Sequence, residues 1–72
     1  MTKLKSGRLK KGFSQQVLGV RAKVGAGDVS KIENGRMLPY PGQAKRLARV
    51  LGLQPEELQE PAVENQIEAV TA

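Results

Sequence analysis

Three groups of residues in this chain have types and spacings that could support chemistry. Gly25-Ala26-Gly27-Asp28-Val29-Ser30 imitates the G-x-G-x-x-G phosphate cradle, with serine in the last place. That cradle works only after a strand and inside a βαβ unit. No strand pattern precedes it, 72 residues leave no room for the fold, and G-x-x-x-x-G-K-[ST] is absent. The second group is the acids. Glu56 and Glu57 are adjacent and Asp28 and Glu33 are five apart, so on helices neither pair converges for acid–base work. The chain has no histidine and no cysteine, which removes the commonest general base, the thiolate nucleophile and the usual metal ligands. We therefore expect no catalytic residues, no metal site and no cofactor. The third group is the cations, whose chemistry is the binding of polyanions.

Those cations are unevenly placed. Residues 1–54 carry all twelve Lys and Arg with only Asp28 and Glu33 opposing them, a balance of +10. Residues 55–72 carry five Glu and no base, a balance of −5. A basic body of this size points to nucleic acid first and an anionic membrane second. The acidic end reads as a solvating tail or a protein-contact element. No run approaches the roughly 18 consecutive apolar residues of a membrane span. The basic start MTKLKSGRLKKG has no apolar run after it, so no signal peptide is expected and the cytoplasm is the expected compartment.

The elements that must position these residues are short helices. Only two aromatics occur, Phe13 and Tyr40, and no β-branched alternation marks a strand. A first helix runs over Lys3–Lys11 with Leu4 and Leu9 apolar, and Gly12 ends it. Ser14 is a good N-cap for a second helix carrying Leu18 and Ala22 on one face. Val29 and Ile32 give a third helix an apolar edge, and Asn34-Gly35 stops it. Pro41 opens a fourth, where Ala44, Leu47, Ala48 and Leu51 follow at i, i+3, i+4 and i+7. PEELQE, between Pro55 and Pro61, reads as a fifth. Val63, Ile67 and Val70 allow a further short amphipathic segment. The expected fold is all-α, a compact bundle of about five short helices, with a domain over 1–61 and an acidic tail over 62–72. The expected core is Leu4, Leu9, Phe13, Leu18, Ala22, Val24, Val29, Ile32, Leu47, Leu51, Leu53 and Leu58.

Two short helices joined by a tight turn on a basic body are the outline of a DNA-reading helix-turn-helix. Arg8, Gly12, Ser14-Gln15, Leu18, Gly19, Val24, Val29, Ser30, Ile32, Glu33, Gly35, Pro39, Leu47-Ala48, Leu51-Gly52 and Leu58 stand in a characteristic order and spacing. On these residues, Leu4 to Leu58 resembles the lambda-repressor-like, Xre/Cro-type helix-turn-helix family. The resemblance implies a sequence-specific DNA-binding transcriptional regulator of bacterial or phage type, a repressor, and not an enzyme. It implies double-stranded DNA as partner and a homodimer on palindromic half-sites about 34 Å apart. It implies that Gln15, Asn34 and Arg36 contact phosphates. Gly25, Ala26, Gly27, Asp28, Ser30 and Lys31 would belong to the recognition helix, about 26–34, in the major groove. It also implies a structural ion pair between Arg8 and Glu33. Leu18, Val29 and Ile32 would form the wedge between the second and third helices, with Gly19 letting them cross closely.

This sequence departs from the family pattern in two places. Lys23 stands where the family has a turn glycine, so either a lysine takes a positive φ or Gly25 reshapes the turn. Ala26 and Gly27 stand where the family has polar base readers, and neither can bond bidentately to a base edge. Lys31 to guanine is then the best base contact on offer, with Ser30 behind it and Asp28 able to accept from cytosine. DNA would be read through few base contacts plus groove shape and backbone charge. The other possibility is that a protein partner has taken over the fold. The dimer surface is expected on the fifth helix and tail, through Leu53, Leu58, Val63 and Ile67. The alternative functions are the antitoxin of a toxin–antitoxin pair, its acidic tail binding a basic protein partner, or a restriction-modification controller.

Overall fold

The computed structural model describes residues 1–62. It holds four α-helices: α1 (Lys3–Lys10), α2 (Gln15–Ala22), α3 (Ala26–Glu33) and α4 (Pro41–Leu51). A 3₁₀ turn, Pro55–Glu57, follows. Among the described residues there is no strand, only an isolated bridge between Thr2 and Pro61. The expected segment around Val63, Ile67 and Val70 lies outside the described residues.

Local chemistry explains each boundary. Thr2 caps α1 by accepting from the Lys5 N–H at 3.1 Å, and Ser14 caps α2 by accepting from Val17 N–H at 3.0 Å. Gly12, Gly35 and Gly52 follow α1, α3 and α4 with φ of 73°, 74° and 72°. The left-handed conformation there costs glycine nothing. α2 ends differently. Lys23 itself is left-handed, φ 58° and ψ 45°, while Gly25 has an ordinary φ of −59°. So the lysine itself takes the left-handed conformation and bears the strain, about 1–2 kcal/mol for a residue with a Cβ. Arg46 of α4 supports it, donating from Nε to Ala22 O at 2.8 Å and from Nη2 to Lys23 O at 3.2 Å.

Gly19 is required by the same turn. A Cβ built there would lie 2.5 Å from the Val24 carbonyl oxygen and 3.4 Å from Ala26 N. The closest approach is thus made by the turn backbone, with the start of α3 just behind it. The chain can turn this tightly because α2 has no side chain at that point.

The PEELQE stretch does not continue as an α-helix. Its backbone is used elsewhere: Leu58 O and Glu60 O accept from Leu4 N–H at 2.9 Å and Lys3 N–H at 2.8 Å. Ala62 N–H donates to Met1 O at 2.9 Å. The bonds from Lys3 and Leu4 satisfy otherwise orphaned donors of the first turn of α1. The Lys3 ammonium adds contacts to Glu57 and Glu60, each at 3.1 Å.

Leu4, Leu18, Val29, Ile32, Leu47 and Leu58 are fully buried. Ala22, Val24, Ala44, Ala48 and Leu51 complete the core. Phe13 and Leu53 are only partly buried against it. Leu9 corrects the expected core, because it is 48% exposed. The inward face of α1 passes through Leu4 and Arg8, four residues apart, and Leu9 is rotated off it. Leu58 corrects the expected dimer surface: at 1% exposure it belongs to the monomer's own core. Leu53 packs against that core, and Val63 and Ile67 lie outside the described residues.

Two glycine substitutions should move stability in opposite directions. Gly19→Ala should cost about 1–3 kcal/mol, since backbone and not a flexible side chain stands in the way. Gly27→Ala, in α3 with nothing within 4 Å of the added carbon, should stabilise by about 0.5–1 kcal/mol. Urea unfolding of both variants checks this. Equal effects would mean that the α2–α3 turn is not packed as described.

The terminal clasp should depend on pH. The backbone N–H of Gln54, and then Lys3, hold the Glu57 carboxyl below its ordinary value of 4.5. Its contribution is complete above that value and is lost as pH falls through the lowered one. Glu57 and Glu60 raise the Lys3 ammonium, whose contribution is present below 10.5 and fades only above it. Amide exchange at Lys3 and Leu4, corrected for its intrinsic pH dependence, should therefore lose protection on acidification. No change would mean that the backbone bonds hold the clasp alone.

Candidate nucleic-acid interface

α3 is oriented by the residues it buries. Val29, Ile32 and Glu33 face inward, so at about 100° per residue Gly27, Lys31 and Asn34 lie on the opposite side. All three are exposed, and Asp28 and Ser30 flank that stripe half-buried. Ala26 is half-buried and Gly25 is exposed. After α3 the chain turns on Gly35, and the Arg36 N–H bonds back to Lys31 O at 2.8 Å. Arg36 is exposed beside the end of the helix.

A buried polar cluster sets the far end of α3. Glu33 is 8% exposed, and so is Arg8. Arg8 donates from Nε to Glu33 Oε2 at 2.6 Å and from Nη2 to Oε1 at 3.2 Å. Its Nη1 donates to Phe13 O at 2.9 Å. Gln15 Nε2 donates to Glu33 Oε1 at 3.0 Å. α1 and the first residue of α2 are therefore tied to the last residue of α3 at one carboxylate, and the Arg8 guanidinium also holds the loop before α2. The bonding is bidentate, and among the described residues no buried side-chain polar atom is left unpaired. The Gln15 amide nitrogen has two hydrogens, so one remains for a second acceptor such as a phosphate.

The positions singled out in the sequence fall unevenly. Lys31, Asn34 and Gly27 share the outer stripe of α3, with Arg36 exposed just past its end, while Gln15 is bonded to Glu33 on the inward side. Asn34 Nδ2 lies 3.5 Å from Ser30 Oγ, at the limit of a hydrogen bond. Asp28 is drawn the other way: its Oδ2 accepts from Gln43 Nε2 of α4 at 3.1 Å. Several cations of the basic body are committed within the protein. Lys3 holds the clasp, Arg8 is buried on Glu33, and Arg46 caps α2. Arg21 lies over the Phe13 ring, 4.7 Å from its centroid.

Sequence reasoning missed Gln43 and Arg46 as supports of the reading unit. Their signal was faint. Gln43 stands at the third position of α4, where a glutamine can reach back to the cap, and it does so to Tyr40 N–H at 3.0 Å. Arg46 follows three residues later on the same side.

Among the described residues no group of acids could hold a metal ion, and no helix is long and apolar enough to cross a membrane. A short α2, a tight turn and an α3 with one face packed and one exposed remain. The helix-turn-helix domain family matches residues 2–60. The chain belongs to that family. No individual curated protein and no solved structure matches it closely enough to count. The match takes in all four helices of this helix-turn-helix domain and the clasp residues up to Glu60.

Breaking the buried Arg8–Glu33 pair from one side should be costly, although the pair adds little net stability. Arg8→Met alone leaves a buried carboxylate without its cation and should cost about 3–5 kcal/mol. Arg8→Met with Glu33→Met should recover most of that loss. Urea midpoints of the wild type, both single variants and the double variant test this. A single-variant cost below about 1 kcal/mol would mark the pair as solvated.

Proposed function

We propose that this protein is a sequence-specific DNA-binding transcriptional regulator of the Xre/Cro type, of bacterial or phage kind, acting as a repressor in the cytoplasm. The observation that carries the reading is the exposed stripe Gly27, Lys31 and Asn34, with Arg36 exposed just past its end, on a body of charge +10. α3 enters the major groove. Gly25, Ala26 and Gly27 let its start come close to the DNA without naming bases. Lys31 donates to guanine O6 or N7, and Ser30 gives a lesser contact. Gln15, Asn34 and Arg36 bond phosphates and set the register. With so few base readers, groove shape carries part of the specificity. The protein binds DNA and transforms nothing. Two copies occupy a palindrome with half-sites about 34 Å apart.

The acidic end favours a second reading, an antitoxin or a restriction-modification controller with a basic protein partner. Two of its acids, Glu57 and Glu60, are already paired with Lys3, which leaves that reading less charge to work with.

Selection from random duplex DNA at fixed salt tests the proposal, and a recovered palindrome is the expected result. Lys31→Ala should relax preference at one base position, at a cost of about 1–3 kcal/mol for the preferred site. Arg36→Ala should weaken every duplex alike and reduce the salt slope by about one. Equal effects of the two changes on all duplexes would remove Lys31 as a base reader.

A further inference from the structure

α3 begins on residues that hold a helix end poorly. Gly25 makes no side-chain cap bond. Gly27 in the first turn costs about 1 kcal/mol relative to alanine. An eight-residue helix has little more than two turns, so a loose first turn alters where its outer stripe points.

The restraint on that first turn comes from α4. Gln43 is bound at both ends of its amide: Oε1 accepts from Tyr40 N–H at 3.0 Å, and Nε2 donates to Asp28 Oδ2 at 3.1 Å. Three residues on, Arg46 bonds the carbonyls of Ala22 and Lys23 at 2.8 and 3.2 Å. One polar stripe of α4 thus grips the turn before α3 and the third residue of α3. Arg8 and Gln15 hold its other end through Glu33. Asp28 lies about 100° from the buried Val29 and off the stripe opposite the core. A carboxylate facing DNA would meet the phosphate field; the Gln43 amide gives it a partner within the protein instead.

We propose that Gln43 and Arg46 are specificity-determining positioning residues, and that Asp28 serves as the acceptor for Gln43 and does not read a base. This rests on the DNA-binding reading above. The two α4 side chains set the angle at which α3 enters the groove. Phosphate contacts tolerate small changes of angle, whereas base-edge hydrogen bonds require placement within about 0.5 Å and 10–20°.

The test compares affinity for the site recovered by selection with affinity for random duplex, at one salt concentration and below the melting transition of every variant. Gln43→Ala, Arg46→Met and Asp28→Ala should each lower the ratio of the two affinities about tenfold, the scale of one lost base discrimination. Gln43→Ala should leave affinity for random duplex unchanged. Asp28→Asn keeps an oxygen acceptor for Gln43 and should retain both the ratio and the base preferences. A change of preferred base in Asp28→Asn, or a ratio that survives Gln43→Ala, overturns this inference alone. A wild-type chain that binds all duplexes equally overturns the DNA-binding reading and this inference with it.

Discussion

The carboxylate of Glu33 is the point on which the arrangement depends. A small all-α domain has a limited core, and apolar contacts alone leave helices free to slide. Here one buried anion receives bonds from α1 through Arg8 and from α2 through Gln15. The guanidinium also bonds the Phe13 carbonyl, which fixes the entry to α2. A buried ion pair is weak evidence for net stability, because desolvation offsets its attraction. Its geometric demand is strong, however. Every partner must arrive at a set distance and direction, so the end of α3 is located relative to both preceding helices.

The start of α3 is located by different means. No buried charge lies there. The turn is tight because Gly19 removes a side chain from the path of the Val24 carbonyl. A left-handed lysine closes it, with Arg46 on the carbonyls beside it. The two ends of the helix are thus held independently, one by a carboxylate in the core and the other by α4 side chains nearer the surface. In the reading proposed here, that division suits a helix with few base-reading side chains. Placement has to supply selectivity that side-chain number does not.

Much of the fold was legible in the sequence because the relevant signals are local. Ser14, Pro41, Gly12 and Gly52 mark helix ends by their own backbone chemistry, and the Ala44–Leu51 spacing defines a face. The failures came where tertiary contacts decided the outcome. PEELQE has helical composition, yet its carbonyls are taken by α1. Leu9 is apolar, yet the inward slot of its turn belongs to Arg8. Leu58 was expected both in the core and on a partner surface, and the core holds it. For the candidate site, the position of α3 in the chain was legible. The direction of Asp28 was not, because it depends on Gln43, fifteen residues away in an element whose register against α3 no local pattern reveals.

The most direct test of the central claim is an NMR titration of the isotope-labelled protein with the duplex recovered by selection. The account predicts shifts at the backbone amides of Gly27, Lys31, Asn34 and Arg36 and at the Gln15 side-chain amide. The clasp amides of Lys3 and Leu4 should stay in place. Shifts confined to the clasp end of α1 and the 55–62 segment, with the α3 stripe unmoved at saturation, would contradict it.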